Sequence, residues 1–337
     1  MSISIQQFLF LRESHPVIDV RSESEFAEGH IRGAFNIPLL NNEERVIVGT
    51  SYKQQGQQQA ISEGFRLVGP RLADIIKTTE EVSNGKEILV HCWRGGMRSY
   101  NFCQFASMAK IKSQSLTDGY KAYRTLALES FKKQLQITLL GGFTGSGKSE
   151  ILRELKIQGE QILDLEALAH HKGSAFGGLM MGKQPTTEQF QNELFEEILA
   201  LDLSRRIWVE DESIAIGKIF LPDDFRQQMR KGQLVQMDVS KEVRIQRLVN
   251  EYGSADRDEF LLMMGKIIKR LGGQHYNAAK EKLLEGDMHS VMNILLTYYD
   301  KTYLESMNRR KDKIVDKVLW NGEQQQVFVK KLINHLG

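Results

Sequence analysis

A thiol and an amine, each set in its own glycine-rich loop, are the groups of this chain best placed to do chemistry. The first loop reads His91-Cys92-Trp93-Arg94-Gly95-Gly96-Met97-Arg98-Ser99, and the second Gly142-Phe143-Thr144-Gly145-Ser146-Gly147-Lys148-Ser149. A strand that ends in a cysteine, followed by a Gly-Gly turn and a helix start, aims backbone N–H groups at one point and makes an anion nest. Such donors favour the thiolate, the reactive form of a cysteine. Arg94, Gly95, Gly96 and Arg98 are therefore expected to hold an anion beside a nucleophilic Cys92. A lone cysteine is more often a small buried hydrophobe, and Cys103 on the following helix is read that way. The strand–Cys–Gly-Gly–Arg setting reverses that expectation for Cys92. Carriage of a chalcogen on the sulfur and attack on phosphate, for which Cys92-x5-Arg98 has the spacing, both remain open from the loop alone.

The second loop fits the Walker A pattern between a strand and a helix. Gly142, Gly145 and Gly147 let backbone N–H groups cradle a diphosphate, Lys148 neutralises it, and Ser149 is a candidate ligand for Mg²⁺. This predicts polyphosphate binding without specifying ATP. An acid on a neighbouring strand should complete the site. Glu210, Asp211 and Glu212, after the apolar run Ile207-Trp208-Val209, are the first candidates, with the choice among them open; Asp164, like Glu166, follows another strand at the edge where α/β sheets bind ligands. No dedicated metal centre is assigned, because the pair His170-His171 has no Cys or third His nearby.

The elements that must position these loops alternate between strand and helix, which predicts an α/β protein. Strands are expected at 16–20, 34–38, 87–91, 136–140, 161–165, 206–210 and 234–239. Helices are expected at 22–28, 99–110 and from 149, a long polar loop at 41–59, and a mainly helical final hundred residues. The boundary falls just before the P-loop strand, giving a domain at 1–134 and a second at 135–337.

The chain has 337 residues, 41% hydrophobic and 26% charged, with a net charge of +2. That composition is that of a globular protein, and no apolar run is long enough to span a bilayer, so no membrane partner is expected. The N-terminal residues lack a basic stretch and a small-residue cleavage site, and two cysteines make no disulfide framework. A reducing, cytoplasmic setting is expected. Both halves are near neutral, so an RNA partner must be met by local patches. His171 and Lys172, in a glycine-rich basic and aromatic segment, and Arg244, Arg247 and Arg270 are the candidate tRNA contacts, with Arg309-Arg310-Lys311 closing the series. Taken singly, solvated helix faces explain such residues as well.

Val17-Ile18-Asp19-Val20-Arg21, Glu25-Phe26 and Gly29-His30-Ile31-Arg32-Gly33-Ala34-Phe35-Asn36-Ile37-Pro38 resemble the signatures of rhodanese sulfurtransferases; a class of Cys-x5-Arg phosphatases shares that fold. With VGTSYKQQGQQQAI, HCWRGGMRS, GGFTGSGKSE, LDLEALAHHKGSAFGG and VEDES, the whole chain resembles the bacterial tRNA 2-selenouridine synthases. The resemblance implies an N-terminal rhodanese-like domain and a P-loop NTPase-like parallel-sheet domain with a helical C-terminal region. It also implies replacement of sulfur by selenium at C2 of wobble 2-thiouridine 34 in tRNA. Selenophosphate would supply selenium, and geranyl diphosphate an S-geranyl intermediate. Cys92 would carry or guide selenium, as a selenylsulfide in one form. Lys148 and Ser149 would hold the departing diphosphate, with Phe143, Phe176 and Met180 near the geranyl chain. No tightly bound cofactor is expected. The alternative is a sulfurtransferase fused to an ATP-dependent small-molecule or RNA kinase.

Overall fold

The computed structural model describes residues 1–308 and 311–336. Arg309 and Arg310, named above with Lys311, lie outside the described residues. The chain divides into two compact units, Met1–Ser130 and Phe131–Gly337.

The first unit is built on five parallel strands, β1 (Ser2–Ile3), β2 (Val17–Asp19), β3 (Phe35–Asn36), β4 (Ile88–His91) and β5 (Ser113–Leu116), in the order β1-β5-β4-β2-β3. β2 and β4 are buried along their whole length, as expected where helices cover both faces of a parallel sheet. Ile18, Val20, Val90, Phe102 and Ala106 pack in one apolar cluster that also takes in Cys92. The reactive loop is thus anchored in the core it emerges from.

The stretch 41–59, expected as a polar loop, is instead two helices, Asn42–Gln55 and Gln57–Val68, separated by Gly56 at φ +90°. Asn41 accepts from the Glu44 N–H, and the Glu44 carboxylate accepts in return from the Asn41 N–H. This capping box starts a helix that composition alone had disguised.

The second unit holds β6 (Gln136–Gly142), β7 (Gln161–Leu163), β8 (Arg206–Glu210), a short antiparallel pair β9 (Ala215–Ile216) and β10 (Ile219–Phe220), β11 (Gln233–Val239) and β12 (Ile314–Trp320). Its main sheet is parallel, in the order β12-β11-β6-β8-β7. The chain leaves β6 for β7 on one side and returns to β11 on the other, so the C-terminal end of β6 is a switch point, where open α/β sheets bind ligands. The final hundred residues are mainly helical, with one exception. β12 alternates half-buried and exposed residues, the period of a strand with one face covered, and it joins the edge beside β11. Among the described residues no helix is long and apolar enough to cross a membrane.

Candidate functional site

Both loops leave the C-terminal ends of central strands. In the first unit the cysteine loop lies against the turn after β5. Gly95 has φ +62° and Gly119 φ +57°, and a Cβ on Gly119 would stand 2.3 Å from the Cys92 carbonyl oxygen and 2.5 Å from the Gly95 nitrogen. Only glycine admits that approach. The Tyr120 and Lys121 N–H groups then donate to the Cys92 and Trp93 carbonyls at 2.8 and 2.9 Å. Gly96 caps the helix Met97–Met108, two residues earlier than the sequence placed its start, so the helix N-terminus faces the loop.

Cys92 is 3% exposed. Its Sγ lies 3.2 Å from the Ser99 Oγ, and Ser99 donates to the Gly96 carbonyl at 3.2 Å. Arg94 is exposed on the loop. Arg98 is paired within the unit: its two terminal nitrogens donate to Glu25 at 2.6 and 3.1 Å, and this pair would have to open for Arg98 to hold a bound anion bidentately. Burial works against the Glu25 charge, but Arg98 prevails and brings the carboxyl down to about 2. Beneath the loop, Arg21 is bidentate on Asp19 and stacks 3.8 Å from the Tyr120 ring centroid. The His91 ring is wholly buried and neither of its nitrogens has a hydrogen-bond partner; burial holds it below the usual imidazole range, against the attraction of Asp19.

The P-loop opens into a cavity of about 1410 Å³ lined by Lys148, Ser149, Glu166, Asp211, Glu212 and Arg247, among others. Gly145 and Gly147 both have φ +80°. Lys148 Nζ donates to the Gly142 carbonyl at 3.2 Å, and the Gly142 N–H donates to the Tyr303 Oη at 2.6 Å. Ser149 donates to Glu166 at 2.6 Å, so Glu166, less prominent than its neighbours in the sequence, is the acid on the P-loop hydroxyl. Glu212 shares a hydrogen bond with Glu166; burial and the Glu166 charge, against the pull of Lys148, push it up to about 8. Ser149, Glu166 and Glu212 thus form a hydrogen-bonded chain in which Glu212 keeps its proton near neutrality.

The other acids take different places. Glu210 is fully buried and accepts from the Leu165 N–H at 3.0 Å; burial and the charges of Asp164, Glu166 and Glu212 raise it well above the usual range. It braces β8 against the start of the helix Leu165–Leu168, and its other carboxyl oxygen has no hydrogen-bond partner. Asp164 caps the short helix Leu165–Leu168 and pairs with Arg153 at 2.8 Å, so it too is already occupied. Asp211 lines the cavity. No cluster of three or more His, Cys, Asp or Glu side chains able to hold a metal occurs among the described residues. Ser149 and Glu166 are the groups a hard cation would meet first, and their mutual hydrogen bond would have to open for it.

The candidate tRNA contacts separate. Arg270 is exposed on the helix Ile268–Leu271. Lys172 pairs with Glu251 at 2.5 Å on the cavity wall. His171 packs against Gly177 and Gly178, its Nδ1 has no partner, and burial followed by the charge of Lys266 keeps it below the usual range. Arg244 is a correction: it is 4% exposed, bidentate on Asp300 at 2.8 Å, and donates to the Thr144 carbonyl. It supports the P-loop from behind, out of reach of RNA. Arg247 is moved as well, to the P-loop itself, where it meets Glu150. Of the residues expected near a geranyl chain, Phe176 is core, stacked on Phe260 at 4.7 Å. Phe143 packs beside Tyr303, and Met180 is exposed.

Residues 135–333 match the family profile "tRNA 2-selenouridine synthase AAA domain", and residues 5–126 match "Rhodanese-like domain". The chain belongs to the tRNA 2-selenouridine synthase family. Relatives called tRNA 2-selenouridine synthase occur in Proteus mirabilis (33% identical, over 90% of this chain and 92% of the relative), in Sulfurovum sp. (32%, 94% of each) and in Nitrosomonas europaea (30%, 90% and 91%). The rhodanese fold and the P-loop α/β fold expected from sequence are both present, and the phosphatase reading of Cys92-x5-Arg98 gives way to that of this family.

Proposed function

We propose that the protein replaces sulfur by selenium at C2 of wobble 2-thiouridine 34 in tRNA, in two steps served by the two loops. The observation that carries the reading is the pairing, in one chain of this family, of a thiol loop with a P-loop cavity. In the first step the thiocarbonyl sulfur attacks C1 of geranyl diphosphate. The S–C bond forms, the C–O bond breaks, diphosphate leaves, and the N3 proton of the thiouridine passes to solvent. Lys148 and the N–H groups at the start of the helix Lys148–Ile157 face the charge that develops on the leaving group, an electrostatic role that needs no phosphoryl transfer. The wall beside Lys148 tolerates that charge because Glu212, hydrogen-bonded to Glu166, keeps its proton near neutrality.

Alkylation turns a poor leaving group into a thiolate. In the second step the selenium of selenophosphate adds at C2, and geranylthiolate departs and takes a proton. Water then cleaves the P–Se bond to release phosphate, and C2=Se forms as N3 takes back a proton. Cys92 guides the selenium donor to C2: its thiol contacts the selenium of selenophosphate, Arg94 and the loop N–H groups offer the cation and donors, and Glu25 fixes Arg98 so that the loop keeps its shape. No metal is assigned to either step.

The test is mass spectrometry of the wobble nucleoside after thiolated tRNA meets the protein and geranyl diphosphate, with and without selenophosphate. The S-geranyl nucleoside should accumulate without selenophosphate, and selenouridine should replace it when the donor is added. ATP-dependent phosphorylation of the RNA, with neither product, would overturn the reading in favour of a kinase.

A further inference from the structure

Arg247 has no part in the two steps above, yet it touches the P-loop backbone. A Cβ on Gly147 would stand 2.4 Å from its Nη2, so the guanidinium lies flush on the last glycine before Lys148. The helix that carries it, Lys241–Tyr252, is pinned to the same loop at two other points. Arg244 donates to the Thr144 carbonyl, and Leu248 fills the space over Gly145. The Arg247 guanidinium also stacks 4.8 Å from the Trp320 ring centroid. Its position is therefore fixed to the cavity wall, while its charge is met by Glu150 at 2.5 Å. Glu150 is about half exposed and sits in the first turn of the P-loop helix, where its charge opposes an incoming phosphate.

We propose that Arg247 is a second phosphate-contacting cation of the diphosphate site, held by Glu150 and handed to the ligand when diphosphate binds. The proposal rests on the P-loop being the diphosphate site. The charge balance favours it. A diphosphate brings several negative charges to a pocket where Glu166, Glu212 and Asp211 line the wall beside Lys148. A guanidinium offers a planar fork matched to phosphate oxygens. Glu150 has a second hydrogen bond, from Gln325, so it retains a partner once Arg247 turns away.

The experiment measures inorganic diphosphate binding to the full-length protein by calorimetry. Arg247→Ala should weaken binding roughly ten- to hundredfold, the loss of one or two charge-assisted hydrogen bonds. Glu150→Gln, which frees the arginine and removes a repelling charge, should tighten binding several-fold. In geranyl transfer, Arg247→Ala should raise KM for geranyl diphosphate more than it lowers kcat. Thermal melts of each variant identify any that fails to fold, in which case Arg247→Lys stands in. Unchanged binding in Arg247→Ala overturns the inference, as does equal weakening by Glu150→Gln, which marks the pair as purely structural. Unchanged binding in Lys148→Ala overturns instead the assignment of diphosphate to the P-loop.

Discussion

The two anion loops occupy the same place in their sheets but are surrounded by opposite charge arrangements. Around Cys92 the charged groups are already matched: Arg98 is held by Glu25, and Arg21 by Asp19. The thiol faces a serine hydroxyl on the floor of a tight loop. Around Lys148 the wall is crowded with carboxyl groups, Glu212 among them pushed toward neutrality, and the cavity is wide. The first loop is a rigid holder for a nucleophile and a small anion. The second is a charge-strained pocket that relaxes when protons or a suitably charged ligand alter its balance. That contrast agrees with a division in which chalcogen chemistry falls to one loop and departure of a polyphosphate to the other.

Substitutions can break the contrast. Lys148→Ala should cost geranyl transfer about 10²–10³-fold in kcat, the usual loss for one preorganised donor at a developing charge. Selenation of tRNA supplied already S-geranylated should continue. Loss of both activities in that assay would mean that the loops are not separable.

Glu25→Gln should leave the Arg98 charge half-matched in a largely buried place and lower the stability of the first unit by about 2 kcal/mol, read by denaturant melts. In the wild type this contribution is present above the ordinary carboxylate range, because the folded carboxyl sits at about 2, and it should fade as the pH falls toward that value.

The P-loop pocket should show the opposite sign. Glu212 holds its proton up to about 8, so between its ordinary value near 4.5 and about 8 the folded state binds more protons than the unfolded one. Stability should therefore decline as pH rises through that window. Glu212→Gln should flatten the decline and raise the melting temperature at pH 8 by on the order of a few degrees. A variant that melts with the same pH slope as the wild type would remove the proton-holding chain from the account. The smallest effect expected is for Asn41→Ala, which should cost about 1 kcal/mol through loss of the helix cap.

Much of this was legible in the sequence because both loops are local devices. A strand, a glycine turn and a helix start are contiguous in the chain, so Cys92 and Lys148 declare themselves. Their partners do not. Glu25 lies 73 residues from Arg98, and Tyr303 lies 161 residues from the Gly142 it meets. Arg244 looked like a surface cation at helical spacing until Asp300, 56 residues on, proved to bury it. Pattern reading gives the face of a helix but not what the face meets. The Asn41 to Glu44 capping box was readable and was outweighed by the glutamine-rich composition after it. β12 carried the alternation of a strand within a helical neighbourhood.

The most direct test of the division between the loops is the wobble nucleoside formed by Cys92→Ala, analysed by mass spectrometry with geranyl diphosphate and selenophosphate both present. The account predicts that S-geranyl-2-thiouridine accumulates and that no selenouridine forms. Loss of both products together, or selenouridine at the wild-type level, would contradict it.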